Sequence, residues 1–202
     1  MGRYPSCSRT DSPKQSGALM ARRENSQSRR EGRDQKIRPG HVLIVCGAEA
    51  TEIDYLSGFK EKHRARIKLK GKVDSPENLV MYAKRIFSPD EFDAVWCVVD
   101  VDHFDIGAAE RAAQRAGVEL AVSNPCFEVW LLLHFTEHRA YVTDGKAACA
   151  LVARHVPGYD KTKLDYAQFH AGVEKAVQRA KALEPGNPST GVWRLVEAVL
   201  RR

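Results

Sequence analysis

Val42-Leu43-Ile44-Val45-Cys46 is a continuous apolar run, rich in β-branched residues and released by Gly47-Ala48. A run with no polar alternation predicts a strand covered on both faces, as in parallel sheets. Beyond it, Thr51 is placed to cap a helix whose Ile53, Leu56 and Phe59 share one face at helical spacing. The unit is strand, turn, helix. It then repeats. Residues 64–73 alternate with period two, which predicts a half-exposed strand, and Ser75-Pro76-Glu77 opens a helix through Leu79, Val80, Ala83, Ile86 and Phe87. Ala94 to Val99 reads as a second buried strand ending in Asp100-Val101-Asp102. Ile106 to Ala116 reads as a helix, and Val118 to Val122 as a strand that stops at Ser123-Asn124-Pro125. The order β-α-β-α-β-α-β predicts an open, mainly parallel α/β sheet flanked by helices, with right-handed crossovers.

The rest of the chain has a different texture. Cys126 to Phe135 is almost wholly apolar apart from Glu128, and the segments 145–155, 163–183 and 190–201 read as helices. They predict a cap or side layer with no further strand of comparable quality. The expected organisation is a basic tail over residues 1–38, an α/β core over 39–125 and a mostly helical extension over 126–202.

The formal charge of +6 is concentrated in the tail. Residues 1–40 hold ten Lys/Arg and four Asp/Glu, and the remaining 162 residues hold 22 of each sign. The tail is rich in Ser, Arg, Gln and Gly, has too few apolar residues to offset its ordering entropy, and is expected to be disordered. It reads as a solubilising extension in preference to a nucleic-acid arm, and Met20 opens an alternative start. No apolar run approaches the roughly 18 to 20 residues of a membrane helix, and the first 40 residues lack the apolar core of a signal peptide. A cytoplasmic protein is expected. The five cysteines are scattered without a CxxC pair, so they read as reduced thiols, and no GxxxxGK[ST] loop points to ATP hydrolysis.

Candidate chemistry lies in the acids. Sites in open parallel sheets form at the carboxyl ends of the strands. Glu49 and Glu52 follow the first strand, while Asp100 and Asp102 close the third. Residues two apart in an extended chain point the same way, so this pair suits one hard cation, magnesium or manganese. Such a cluster suits phosphodiester chemistry. The alternative is local: Asp102 or Asp105 caps the next helix, and acids near a helix start need no function. Glu128 interrupts an apolar run, so it is either buried with a partner or on the surface of an amphipathic helix. His134 and His138 have metal-pair spacing without a third ligand and read as ordinary polar residues. Arg64, Arg66, Lys68, Lys70 and Lys72 form a basic stripe that suits a DNA or RNA backbone or, equally, guards a sheet edge. Val98-Val99-Asp100-Val101-Asp102 also resembles the nucleophile motif of haloacid dehalogenase phosphatases. Its third-strand position and Phe104 depart from that pattern.

Five ordered blocks carry a more extensive resemblance. They are Val42 to Cys46 with Thr51-Glu52 and Tyr55; Ser75-Pro76-Glu77-Asn78-Leu79; Val99-Asp100-Val101-Asp102-His103-Phe104; Ser123-Asn124-Pro125-Cys126-Phe127-Glu128-Val129-Trp130-Leu131-Leu132; and Asn187-Pro188-Ser189-Thr190-Gly191. Over about residues 41–200 the chain resembles the RloB-like family of bacterial defence-associated proteins. The resemblance implies a Toprim-like fold, a magnesium-dependent nuclease-like site and association with restriction or abortive-infection loci, often beside a separate ATPase. It implies that the acids after the first strand and the DxD after the third form the metal-binding core. One departure stands out. The family usually reads Cys-Glu-Gly-Glu-Lys-Thr-Glu where this chain has Cys46-Gly47-Ala48-Glu49-Ala50-Thr51-Glu52, so Gly47 replaces the strand-terminal glutamate and Ala50 the lysine. Two functions follow as expectations: a metal-dependent nuclease effector, or a noncatalytic nucleic-acid- or partner-binding subunit.

Overall fold

The apolar run at residues 42–46 forms β1 (Val42–Cys46), buried at all five positions. A computed structural model describes residues 41–48, 50–101 and 104–201. After β1 come α1 (Thr51–His63), β2 (Ile67–Gly71), α2 (Pro76–Ile86), β3 (Ala94–Asp100), α3 (Ile106–Ala116) and β4 (Glu119–Asn124). The chain continues through α4 (Glu128–Leu133), α5 (Gly145–Ala153), two 3-10 turns (Tyr166–Gln168 and His170–Gly172), α6 (Val173–Lys181), β5 (Ser189–Thr190) and α7 (Val192–Leu200). The basic tail lies outside the described residues.

The strands form one open sheet in the order β2-β1-β3-β4-β5. The first four run parallel, and β5 pairs antiparallel with the end of β4 through Ser123 and Asn124. The open, mainly parallel α/β architecture expected from the alternation is therefore present. β5 was not expected. It is two residues long and exists through its partner, with the Ser123 and Thr190 hydroxyls 3.0 Å apart and Gly191 N donating to Val122 O at 2.7 Å.

Alternation along the strands divides the core in two. Leu43, Val45, Val95, Cys97 and Val99 face α2 and α3, meeting Leu79, Val80, Ala83, Ala109, Ala112 and Ala113. Val42, Ile44, Cys46, Trp96 and Val98 face the other way, onto α1, α4, α6 and α7. Of the two arrangements expected for the C-terminal segment, a cap or a side layer, the structure has the side layer: it packs directly on the sheet and shares one core with α1. Residues 163–172, expected to be helical, hold turns and the two 3-10 segments, and the helix begins at Val173. At the start of α2, Ser75 accepts from Asn78 N as expected, and Asp105 does the same for α3 through Ala108 N.

Candidate acidic site at the carboxyl edge of the sheet

Strand parity decides which acids can meet. Asp100 lies two residues beyond Val98 and four beyond Trp96, so its side chain leaves β3 on the side of α1 and α4. Cys46, the last residue of β1, is in register with Val98, and Asp100 is in register with Ser123 on β4. On that same side, the first turn of α1 carries Glu52 and the first residue of α4 is Glu128. Glu52 is 3% exposed and Glu128 7%, while Asp100 is half-buried. Of the two readings of Glu128, burial is the one the fold selects.

Three thiols report the field of these acids. Burial pushes the Cys46 thiol well above its usual range, and the charge of Glu52 pushes it further. Cys126 is raised in the same way, by burial first, then by Glu128 and Asp100. Acids from β3 and α4 thus both lie near this one sulfur. Cys149, on α5, is pushed up to about 11 by burial and then by Glu128, and its Sγ donates to Glu128 Oε1 at 3.5 Å. All three remain protonated near neutrality, which argues against a thiolate nucleophile here. Burial is the main cause in all three, and the acid charges add to it.

A strap from the C-terminal half closes this edge. Thr51 was expected to cap α1, but it is the first helical residue, and Ala50 in the cap position makes no side-chain bond. The Thr51 hydroxyl instead donates to Lys161 O at 2.8 Å, and Leu164 N donates to Asp54 Oδ2 at 3.3 Å. Further along, Tyr166 sits so close to α1 that a Cβ on Gly58 would fall 2.2 Å from the tyrosine Cβ. Between α5 and these anchors lies Tyr159. Its phenol is raised by burial, then by Glu128, Cys149 and Cys126, against a hydrogen bond with the Thr51 side chain. Sequence reasoning missed Tyr159. Its only local signal is an isolated aromatic between Gly158 and Asp160 in a turn-rich stretch.

The remaining expected residues fall elsewhere. Glu49 and Asp102 lie outside the described residues. The basic stripe lies along β2, the edge strand, with Arg64, Arg66, Lys68 and Lys70 exposed and Lys72 half-buried. Lys68 pairs with Glu91 at 3.8 Å and lies over Phe92. Lys72 pairs with Asp74, holding that carboxyl at about 2, and lies over Tyr82. Two of the five cations are thus engaged within the protein. His134 departs from its reading as an ordinary polar residue. It is 4% exposed, takes the Tyr55 hydroxyl on Nε2 at 3.0 Å and donates from Nδ1 to Trp130 O at 2.9 Å.

Glu52, Asp100 and Glu128 offer the hard oxygen donors that magnesium or manganese prefers. Among the described residues no group of three His, Cys, Asp or Glu is arranged to hold a metal ion. Among the same residues no helix is long and apolar enough to cross a membrane. Comparison with curated proteins and with solved structures gave no match. A family model described as RloB-like protein matches residues 42–199, a span that includes all five strands, the three described acids and the strap. With most of its length matched, the chain belongs to the RloB-like family.

Proposed function

We propose that this protein is a magnesium- or manganese-dependent, nuclease-like effector that cleaves phosphodiester bonds of DNA or RNA in a bacterial phage-defence or abortive-infection system. It works in the cytoplasm, with a separately encoded ATPase as partner. The observation that carries this reading is the convergence of Glu52, Asp100 and Glu128, from three different elements, on one side of the carboxyl edge of a parallel sheet. In this reading Glu49, Glu52, Asp100 and Asp102 hold the cation. When bound, it supplies an activated water and neutralises phosphoryl charge. Glu128, in a dry setting beside Cys126 and Cys149, handles the proton of the attacking or leaving oxygen. Arg64, Arg66, Lys68, Lys70 and Lys72 follow the nucleic-acid backbone along β2, and Lys72 N donates to Cys46 O at 3.0 Å, so the stripe ends beside β1. Purified protein with Mn²⁺ or Mg²⁺ is expected to cut DNA or RNA, and Asp100→Ala to lower the rate by at least about 100-fold. Equal cleavage by that variant rejects the assignment.

Gly47 favours a second reading, a catalytically impaired subunit that binds nucleic acid or a partner. Its N–H donates to Val98 O at 2.9 Å, and a Cβ there would meet only Val98 O at 3.4 Å and Leu79 Cδ2 at 3.8 Å. Position 47 thus has room for a side chain. This reading predicts salt-sensitive binding without turnover, and a gain of metal-dependent cleavage in Gly47→Glu. Full cleavage by the unaltered protein excludes it.

A further inference from the structure

We propose that a pocket at the amino edge of the sheet holds one unpaired nucleotide, with Arg64 and Arg66 on its phosphate, so that the nucleic acid running along β2 is single-stranded. The inference deepens the reading of the basic stripe as a nucleic-acid track and rests on it.

The pocket has a volume of about 150 Å³ and lies between the α1–β2 turn and the end of α7, at the end of the sheet opposite the acids. Val42, Ala65, Val199 and Leu200 give it apolar walls, and His63, Arg64 and Arg66 add polar groups. Leu200 is 48% exposed, an apolar side chain that folding leaves uncovered. The His63 ring is held in place, its centroid 4.5 Å from that of Phe59 and its Nε2 3.2 Å from the Tyr166 hydroxyl. A small cavity with apolar walls, an imidazole and two guanidinium groups suits a flat heteroaromatic base and its phosphate. A base can enter it only when unpaired, which excludes an intact duplex.

Charge points to the same end of the stripe. Lys68 pairs with Glu91 and Lys72 with Asp74, whereas the side chains of Arg64 and Arg66 have no partner among the described residues. The last turn of α1 adds Lys60 and Lys62 against Glu61. Along β2, side chains two residues apart are separated by about 6.6 Å, close to the step between successive phosphates of an extended single strand. The stripe thus offers one cation per nucleotide on the way from the pocket towards the acids.

The backbone of Arg64 gives a third observation. Its φ of 51° and ψ of 33° are left-handed, and it ends α1 with its own N on Glu61 O at 3.4 Å and Ala65 N on Lys60 O at 2.9 Å. Glycine is the usual residue at the left-handed position of this motif, because a Cβ there is strained. The guanidinium therefore occupies a position that folding alone assigns to glycine, and strain of this kind marks sites of function.

Binding by the full-length protein in EDTA, read by fluorescence anisotropy, tests the pocket without cleavage. The basic tail is common to every protein compared. The parent is expected to bind a short oligothymidine about 10-fold tighter than its duplex with oligoadenine, and about 10-fold tighter than an abasic strand of equal length. Arg64→Gly is expected to raise the melting temperature by about 2–4 °C. It is also expected to weaken single-strand binding, with the slope of log affinity against log salt reduced by about 0.7, the value of one phosphate contact. Leu200→Gln, at an exposed position, is expected to shrink the difference between the base-bearing and abasic strands. Equal affinity of the parent for those two strands, or for single strand and duplex, overturns the inference. So does an Arg64→Gly protein that binds like the parent, or that binds less only because it melts lower. Cleavage with Mn²⁺ by a parent showing none of these preferences leaves the phosphodiester reading standing alone, and the expected binding without cleavage leaves the pocket standing alone.

Discussion

The two faces of the sheet are built from different materials. On one, α2 and α3 cover the strands with Leu79, Val80 and a row of alanines, and the core is aliphatic apart from Phe92 and Cys97. On the other, Tyr55, Phe59, Phe127, Trp130, Tyr166 and Phe169 form an aromatic cluster around the neutral side chain of His134. Tyr55 alone makes edge-on contacts with Phe127, Trp130, His134, Tyr166 and Phe169. The buried acids Glu52 and Glu128 also belong to this second side. The aliphatic face needs only volume and apolar area. The aromatic face combines packing with oriented polar groups, and that is the setting in which side chains at a sheet edge can be held for chemistry.

Substitution on each side tests the contrast. Trp130→Ala, at a fully buried position that touches both Tyr55 and His134, is expected to cost about 3–5 kcal/mol in denaturant unfolding. Leu79→Ala on the aliphatic face is expected to cost about 2–5 kcal/mol, with the same loss at pH 7.5 and pH 5. Comparable pH dependence on both faces would erase the distinction.

Acid sharpens it. Burial lowers the His134 pKa from 6.5 to about 4, with the Arg179 charge adding to the effect against two opposing backbone hydrogen bonds. The unfolded chain therefore takes up a proton between those values and the folded protein does not. The stabilisation is complete above pH 6.5 and fades as pH falls towards 4, by about 3 kcal/mol over the window. His134→Gln is expected to start less stable at pH 7.5 and to lose less on acidification. An identical decline in both proteins would show that His134 is not the group responsible. The smallest effect is local: Ser75→Ala removes the cap of α2 and is expected to cost about 1 kcal/mol, without pH dependence between 5 and 7.5.

Legibility in the sequence followed the range of the interaction. The bounds of α3 were legible because Asp105 caps its start and Gly117 ends it, both within a turn of the helix. Strand β1 was legible because an unbroken apolar run has few other uses. β5 was not, since two residues carry no period and its existence depends on Ser123 and Asn124 some 66 positions earlier. Thr51 misled for a related reason. Its residue type suits a cap, but it lies one residue inside the helix, and its hydroxyl donates to Lys161 O from the other half of the chain. The acids Glu52, Asp100 and Glu128 were legible as candidates, and the thiols and Tyr159 around them were not.

By itself, the sequence determined the succession of strands and helices, the parity that turns Asp100 towards one side, and membership of the RloB-like family. These depend on periodicity and on motifs within a few residues. Only the tertiary structure decided that the helices after β4 share a core with α1, that Glu128 is buried beside Cys126 and Cys149, and that Tyr159 is held over the same edge. Burial and hydrogen-bond partners across a hundred residues follow from how the layers pack, and no local pattern encodes them.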